Sequence, residues 1–210
     1  MDIIEAVKER RSIKFYEPEM VISEAKIREL LEMASLAPSS FDLQPWRAIV
    51  VNRPDTKEAL RLCAFDQPKV DECSFVVIVI ADPAAVETNT ERTLQSMLEL
   101  GYILKEEHKA PYRAMIASLY GEPESSQRKL FAVKNASLFA MNLMLAARGF
   151  GYETTPMDGF DEACIKERFG IPADKLIPMI VAVGYPKKGF EILPRPFRMD
   201  MREFVSFNSY

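Results

Sequence analysis

The chain has 210 residues, 48% hydrophobic and 28% charged, with a formal net charge of −4. That is enough for one well-buried domain and short for two, and the acidic balance argues against a general nucleic-acid surface. Three cysteines without metal-type spacing and a single histidine, His108, leave no zinc site legible in the sequence.

Cys63, Cys73 and Cys164 read as unpaired filler, a usage that fits a reducing cytoplasm. The N-terminus has no signal-peptide h-region, and the longest strongly apolar run, Phe75 to Ala81, is too short to span a bilayer. The expectation is a cytoplasmic protein without a membrane partner.

Asp2 caps a first short helix, Glu5 completes a capping box, and Ile3, Ile4 and Val7 give an apolar stripe. The helix exits into Arg10-Arg11-Ser12-Ile13-Lys14, and two readings fit this cluster. One is a solvated helix end, where cations are favourable. The other is an anion clamp. An extended run puts Arg10, Ser12 and Lys14 on one side and Arg11, Ile13 and Phe15 on the other. Cations flanking a hydroxyl, with apolar anchors behind, can hold a phosphate without a glycine loop.

Ser23 caps a second helix with Ile27, Leu30, Leu31 and Ala34 on one face, and Pro38 ends it. The loop from Pro38 through Ser39, Ser40, Phe41, Asp42 and Gln44 to Trp46 either lines a pocket with donors and a flat wall or simply joins a helix to a strand. Arg47 to Val51 reads as a strand, and a third helix runs to about Ala64. The run Phe75 to Ala81 is a strand buried on both faces. From Glu87 to Tyr120 the pattern is helical, with Pro111 as an interruption. The longest helix spans Ser126 to Arg148. Its second half is apolar nearly all round, which requires the domain centre or a subunit interface. Tyr152 to Thr155 and Leu176 to Val183 read as strands, Asp161 opens a helix that ends at Gly170, and Glu203 to Phe207 alternates like an edge strand. Helices outnumber strands without a βαβ rhythm, so the class is α+β.

No dinucleotide-binding glycine motif, P-loop or nucleophile elbow is present. His108 lies in a charged stretch and reads as surface. With no protein nucleophile, metal or acid–base dyad evident, hard chemistry would have to come from a cofactor.

Four motifs occur in order: Arg10-Arg11-Ser12-Ile13-Lys14; Ala37-Pro38-Ser39-Ser40 through Gln44-Pro45-Trp46; Pro156-Met157-Asp158-Gly159-Phe160; and Gly184-Tyr185-Pro186 followed by Arg195 and Arg198. Over nearly the whole chain they resemble the nitroreductase family of FMN-dependent NAD(P)H oxidoreductases. The resemblance implies one nitroreductase-like α+β domain over 1–210, with a central mixed sheet flanked by helices and variable lid-type helices at about 87–120. It also implies an intertwined homodimer, with the C-terminal tail exchanged onto the partner and FMN at the interface. Arg10 and Ser12 would hold the phosphate, joined by Arg195 and Arg198 from the tail, and Arg11 would be a further cofactor-binding residue. Lys14, Gln67 and Lys69 would lie at the N1–O2 edge of the ring. Pro156, Met157, Asp158 and Gly159 would flank N5, with a backbone N–H at Asp158 or Gly159 aimed at it. Pro38, Ser39, Ser40 and Asp42 would come from the second subunit. Asp42 and Asp66 stand where relatives often have asparagine, and a carboxylate there would oppose flavin charge. The implied reaction is ping-pong: NADH or NADPH gives hydride to N5, and a nitroaromatic, quinone or flavin takes it, with no catalytic side chain in the strict sense.

Overall fold

Every residue of the strand Phe75–Ala81 is buried, and the fold is built outward from it. The computed structural model describes residues 2–210. Its helices are α1 (Ile3–Glu9), α2 (Glu24–Ser35), α3 (Pro54–Cys63), α4 (Lys69–Glu72), α5 (Ala85–Glu99), α6 (Lys109–Tyr120), α7 (Ser126–Gly149), α8 (Glu162–Phe169) and α9 (Met201–Phe204). Its strands are β1 (Trp46–Val51), β2 (Phe75–Ala81), β3 (Glu153–Met157) and β4 (Leu176–Gly184), in the spatial order β1-β2-β4-β3.

The two-residue period of β2 divides the interior. Phe75, Val77, Val79 and Ala81 face one core, shared with α2, α5, α6 and α7. Val76, Ile78 and Ile80 face a second, with Leu60 of α3, Val70 of α4 and Ile165 of α8. All pairings between the strands are antiparallel, so the expected mixed sheet is corrected. Among the described residues, parallel pairing is confined to a single bridge, Ser12 to Thr154. The stretch expected to add an edge strand folds otherwise: Asp200 and Glu203 form a capping box that starts α9, and helical pitch replaces alternation there.

Three further expectations change. The break in the 87–120 segment falls between α5 and α6, at Gly101 with φ +83°, and not at Pro111. Pro111 sits in the first turn of α6, where its missing N–H costs nothing. Phe15 is no buried anchor; it lies exposed, edge-on to Phe190 at 4.9 Å. Cys63 and Cys164 form a disulfide with Cα atoms 5.5 Å apart, leaving only Cys73 free and buried. The helix-to-helix approach of α3 and α8 brings residues 101 apart in sequence together, which no spacing rule reveals. The cysteine usage therefore no longer argues for a reducing compartment.

Helix α7 is long and apolar enough to cross a membrane by length and composition, yet half of that stretch is buried in the domain. Phe131, Phe139, Leu143 and Ala147 pack on the sheet, and Trp46 stacks on Phe139 at 5.6 Å, behind its own loop. The other face is uncovered in the single chain: Leu138 and Met141 are exposed, as are Ile3, Ile4 and Val7 of α1 and Leu36 after α2. An apolar groove of about 590 Å³ lies among Ile3, Met33, Leu36, Leu145 and Phe150.

Candidate cofactor site

Residues 10–16 run extended beside β3, held by bridges from Ser12 to Thr154 and from Tyr16 to Pro186. Ile13 and Tyr16 point inward and are buried, while Ser12 and Lys14 point outward. The Tyr16 hydroxyl donates to Thr155 Oγ1 at 2.9 Å, and Thr155 in turn donates to the Ile13 carbonyl. Gly184 makes room for this ring: a Cβ there would lie 2.9 Å from Tyr16 Cδ1 and 3.0 Å from the Ser74 backbone nitrogen. The glycine of Gly184-Tyr185-Pro186 thus serves the N-terminal cluster.

The two ends of the chain meet. Arg195 donates through Nη2 to the carbonyls of Lys8 and Arg10, the latter at 2.8 Å, closing the C-terminus of α1. Arg11 donates to the Leu193 carbonyl at 2.8 Å, so its guanidinium fastens the tail. Burial holds the Arg10 guanidinium below its ordinary value. Arg195, Arg198 and Arg11 push it the same way, and Glu153 opposes them. The guanidiniums of Arg11, Arg195 and Arg198 thus lie near enough to Arg10 to repel it, and a cluster of cations of this kind fits a phosphate.

Glu153 and Arg148 escape a reading of motifs. Glu153 is only 4% exposed; its Oε1 accepts from Arg148 Nη1 at 2.6 Å, and its Oε2 has no hydrogen-bond partner among the described residues. Arg148 also reaches Glu9 at 2.6 Å. A charged residue opening an otherwise uncharged, buried strand was the available signal. Burial holds the Glu153 carboxyl above the usual glutamate range, against the pull of Arg148 and Arg10. A raised folded pKa means that the native state keeps the proton longer than the unfolded chain does. Stability from this group is complete below the ordinary glutamate pKa of about 4.3 and is lost as pH rises through the folded value. In urea titrations, Glu153→Gln is expected to match the parent in acid and to become the more stable of the two as pH rises through that window. A gap that widens toward acid would contradict this.

A second group of residues gathers beside the first. Burial, then the nearby charge of Lys14, depress Lys69, so two cations share one region. Gln67 Nε2 donates to the carbonyls of Gly159 at 2.7 Å and Ala64 at 3.0 Å, tying the loop before α4 to the loop after β3. Asp158 and Gly159 are exposed, Pro156 is half-buried, and the Met157 side chain is buried in the second core. Asp66 pairs with Arg61, which neutralises the carboxylate that stood out in the sequence.

The loop Pro38–Asp42 is elsewhere. The Ser40 N–H donates to Asn135 Oδ1 at 3.1 Å, and Tyr120 donates to Ser40 Oγ. Ser39 Oγ accepts from the Gln44 N–H at 2.9 Å, and Asp42 accepts from the Gln44 side chain at 3.2 Å. Phe41, Asp42 and Gln44 all have left-handed φ, near +50°, a strained backbone held by this packing. A cavity of about 490 Å³ lined by Phe41, Asp42, Met97, Leu100 and Tyr102 opens beside it. The loop docks at Asn135 of α7, whereas the Arg10 cluster docks through Glu9 at Arg148. At about 1.5 Å per residue these points are roughly 20 Å apart along the helix. One chain therefore does not bring the two halves of the expected site together. His108 is exposed.

The arrangement is that of an α+β oxidoreductase domain with a cationic cradle where its termini meet. A profile of the nitroreductase family matches residues 7–185, and the chain belongs to that family. YdgI of Bacillus subtilis, named as an NAD(P)H nitroreductase, is 36% identical over 87% of this chain and 88% of its own. A Thermus thermophilus protein named NADH dehydrogenase is 32% identical over 89% and 87%. A protein from Exiguobacterium sibiricum, described as a nitroreductase in complex with FMN, has 30% identity and a TM-score of 0.85 over 99% of this chain and 98% of its own.

Proposed function

We propose that two copies of this chain form an FMN-dependent NAD(P)H oxidoreductase in which each cofactor is held by both. When bound, FMN would supply two-electron chemistry between NADH or NADPH and a flat acceptor such as a nitroaromatic, a quinone or free flavin. The reading is supported most by one observation: Arg10, Arg11, Arg195 and Arg198 converge in a chain that is acidic overall. Arg10, Arg195 and Arg198, with the Ser12 hydroxyl, would hold the phosphate. Lys14 and Lys69 would face the N1–O2 edge, where fixed cations favour the added negative charge of the reduced ring. Gln67 and the backbone of Asp158 and Gly159 would flank N5.

Pro38, Ser39, Ser40 and Asp42 would reach the ring from the second copy, because within one chain they dock at Asn135, roughly 20 Å along α7 from the Arg10 cluster. The exposed apolar faces of α1 and α7 are the surface such a dimer needs covered. The cavity beside Phe41 would then receive the nicotinamide and the acceptor in turn, a ping-pong order that a single flat site favours. Hydride transfer between stacked rings needs proximity more than side-chain acids.

Purified protein is expected to be yellow and to bleach anaerobically with NADH or NADPH. Colour without bleaching would mean FMN binding without turnover, and colourless protein that ignores added FMN would remove the cofactor. Arg10→Ala is expected to weaken FMN binding about ten- to hundredfold, the loss of one charge-assisted contact of ~1.5–3 kcal/mol, with the circular dichroism unchanged. Equal retention of FMN on dialysis would take Arg10 out of the site.

A further inference from the structure

The disulfide stands where one of the segments proposed for the ring edge begins, at 64, and just after the other ends, at 161. Cys63 is the last residue of α3, and the chain turns at once through Ala64 to Gln67. Cys164 lies in the first turn of α8, just after Phe160 and Asp161. Three ties join these stretches: the Sγ–Sγ bond, the Asp161 N–H donating to the Cys63 carbonyl at 2.8 Å, and Gln67 donating to the Gly159 carbonyl at 2.7 Å. Between them sits strained backbone, with Phe65 at φ +52° and Asp66 at φ +59°. Residues without glycine's freedom hold such angles only where the surroundings over-determine them.

We propose that Cys63–Cys164 is a redox modification site, cleaved by dithiols, which sets how firmly the segments 64–69 and 156–161 are clamped together and so how well the protein retains its flavin. The flavin part rests on the function proposed above. Access favours attack at Cys164, which is half-buried, over Cys63, which is 1% exposed. A thiolate of the dithiol attacks Cys164 Sγ, forming a mixed disulfide as the Sγ–Sγ bond breaks and Cys63 leaves, taking up a proton. The second thiol of the reductant then displaces Cys164, which leaves as a thiol. Two electrons and two protons pass to the protein, and the reductant ends as its own disulfide. Cys73 stays out of this exchange, because it is buried and burial pushes its thiol up to about 12. The phosphate cradle, at the other side of the site, keeps its contacts, so reduction loosens one end of the cofactor only.

The test treats the purified, flavin-loaded protein with dithiothreitol under native conditions. Free thiols are then alkylated and located by mass spectrometry, and amide hydrogen exchange and FMN release are followed. Alkylation of Cys63 and Cys164 only after dithiothreitol, with Cys73 untouched, is expected. Exchange over 64–67 and 159–164 is expected to quicken about tenfold, beyond any change in β2, and FMN release to quicken by a similar factor. Cys63→Ser with Cys164→Ser is expected to match the reduced protein with or without dithiothreitol. Free thiols before reduction, a bridge that resists dithiothreitol in the folded protein, or unchanged exchange in both segments would overturn the proposal. Faster exchange with unaltered FMN release from a yellow protein would overturn the control of flavin. A protein colourless in both states fails the cofactor reading instead, and the exchange of the two segments alone then supports or overturns the clamp.

Discussion

A chain ending at Pro194 is expected to bind FMN about a hundred- to ten-thousandfold more weakly than the full chain. Two guanidiniums are lost, each contributing ~1.5–3 kcal/mol to a phosphate contact. Arg195 does a second job, closing the end carbonyls of α1 beside Arg10, so its removal also frees the backbone that aims Arg10. Phe197, Phe204 and Phe207 lie exposed on the tail with nothing of their own chain to cover them. Shortening is therefore also expected to weaken self-association, seen as a smaller mass by light scattering. Arg195→Gln with Arg198→Gln separates the effects: FMN binding falls while the dimer persists. A truncated protein that stays a fully loaded dimer would break the link between tail, phosphate and partner.

The parts of this fold that the sequence revealed are those governed by local rules. The capping box of Asp2 and Glu5 forms, Asp161 caps α8, and Gly170 ends it with φ +65°. The run Phe75 to Ala81 is buried on both faces because a continuous apolar strand has no other stable place. The Arg10 cluster was legible because three cations in an acidic chain, alternating with apolar residues, ask for an explanation beyond solvation. What the sequence hid depends on distant pairing. Nothing near Cys63 announces Cys164, and nothing near Arg148 announces Glu9 and Glu153. The tail misled for a different reason. Alternation at 203–207 is short, and the capping pair Asp200 and Glu203 outweighs it when no neighbouring strand in the same chain is there to pair.

Replacing Arg128 by leucine is expected to destabilise the protein by about 3 kcal/mol, in the range for breaking a buried ion pair, and to lower Tm by roughly 6–12 °C. Arg128 is 2% exposed at the start of α7, and its guanidinium makes hydrogen bonds to the start of α5 and the end of α6. Nη1 meets both Glu87 oxygens at 2.6 and 2.8 Å and the Pro83 carbonyl at 3.4 Å. Nη2 donates to the Gly121 carbonyl at 2.6 Å, and Nε to the Tyr120 carbonyl at 3.3 Å. The guanidinium thus pins the start of α5 and the end of α6 onto α7; α5 lines the cavity beside Phe41 through Thr93, Ser96 and Met97, and Tyr120 of α6 meets the Phe41 ring edge-on at 6.3 Å. Leucine fills the volume but leaves the three carbonyls without donors, and that desolvation loss is the main term. Glu87 is half exposed and can return to water, so Glu87→Gln is expected to cost under about 1 kcal/mol. Lysine at position 128 restores charge but not the planar fork, so Arg128→Lys is expected to recover less than half of the loss. If Glu87→Gln proved as damaging as Arg128→Leu, the ion pair rather than the carbonyl fork would be what holds α5 and α6 in place. Since Tyr120 donates to Ser40, the same loosening is expected to reach the strained loop at Phe41, seen as faster amide exchange through α6 and residues 39–44 while β2 keeps its protection.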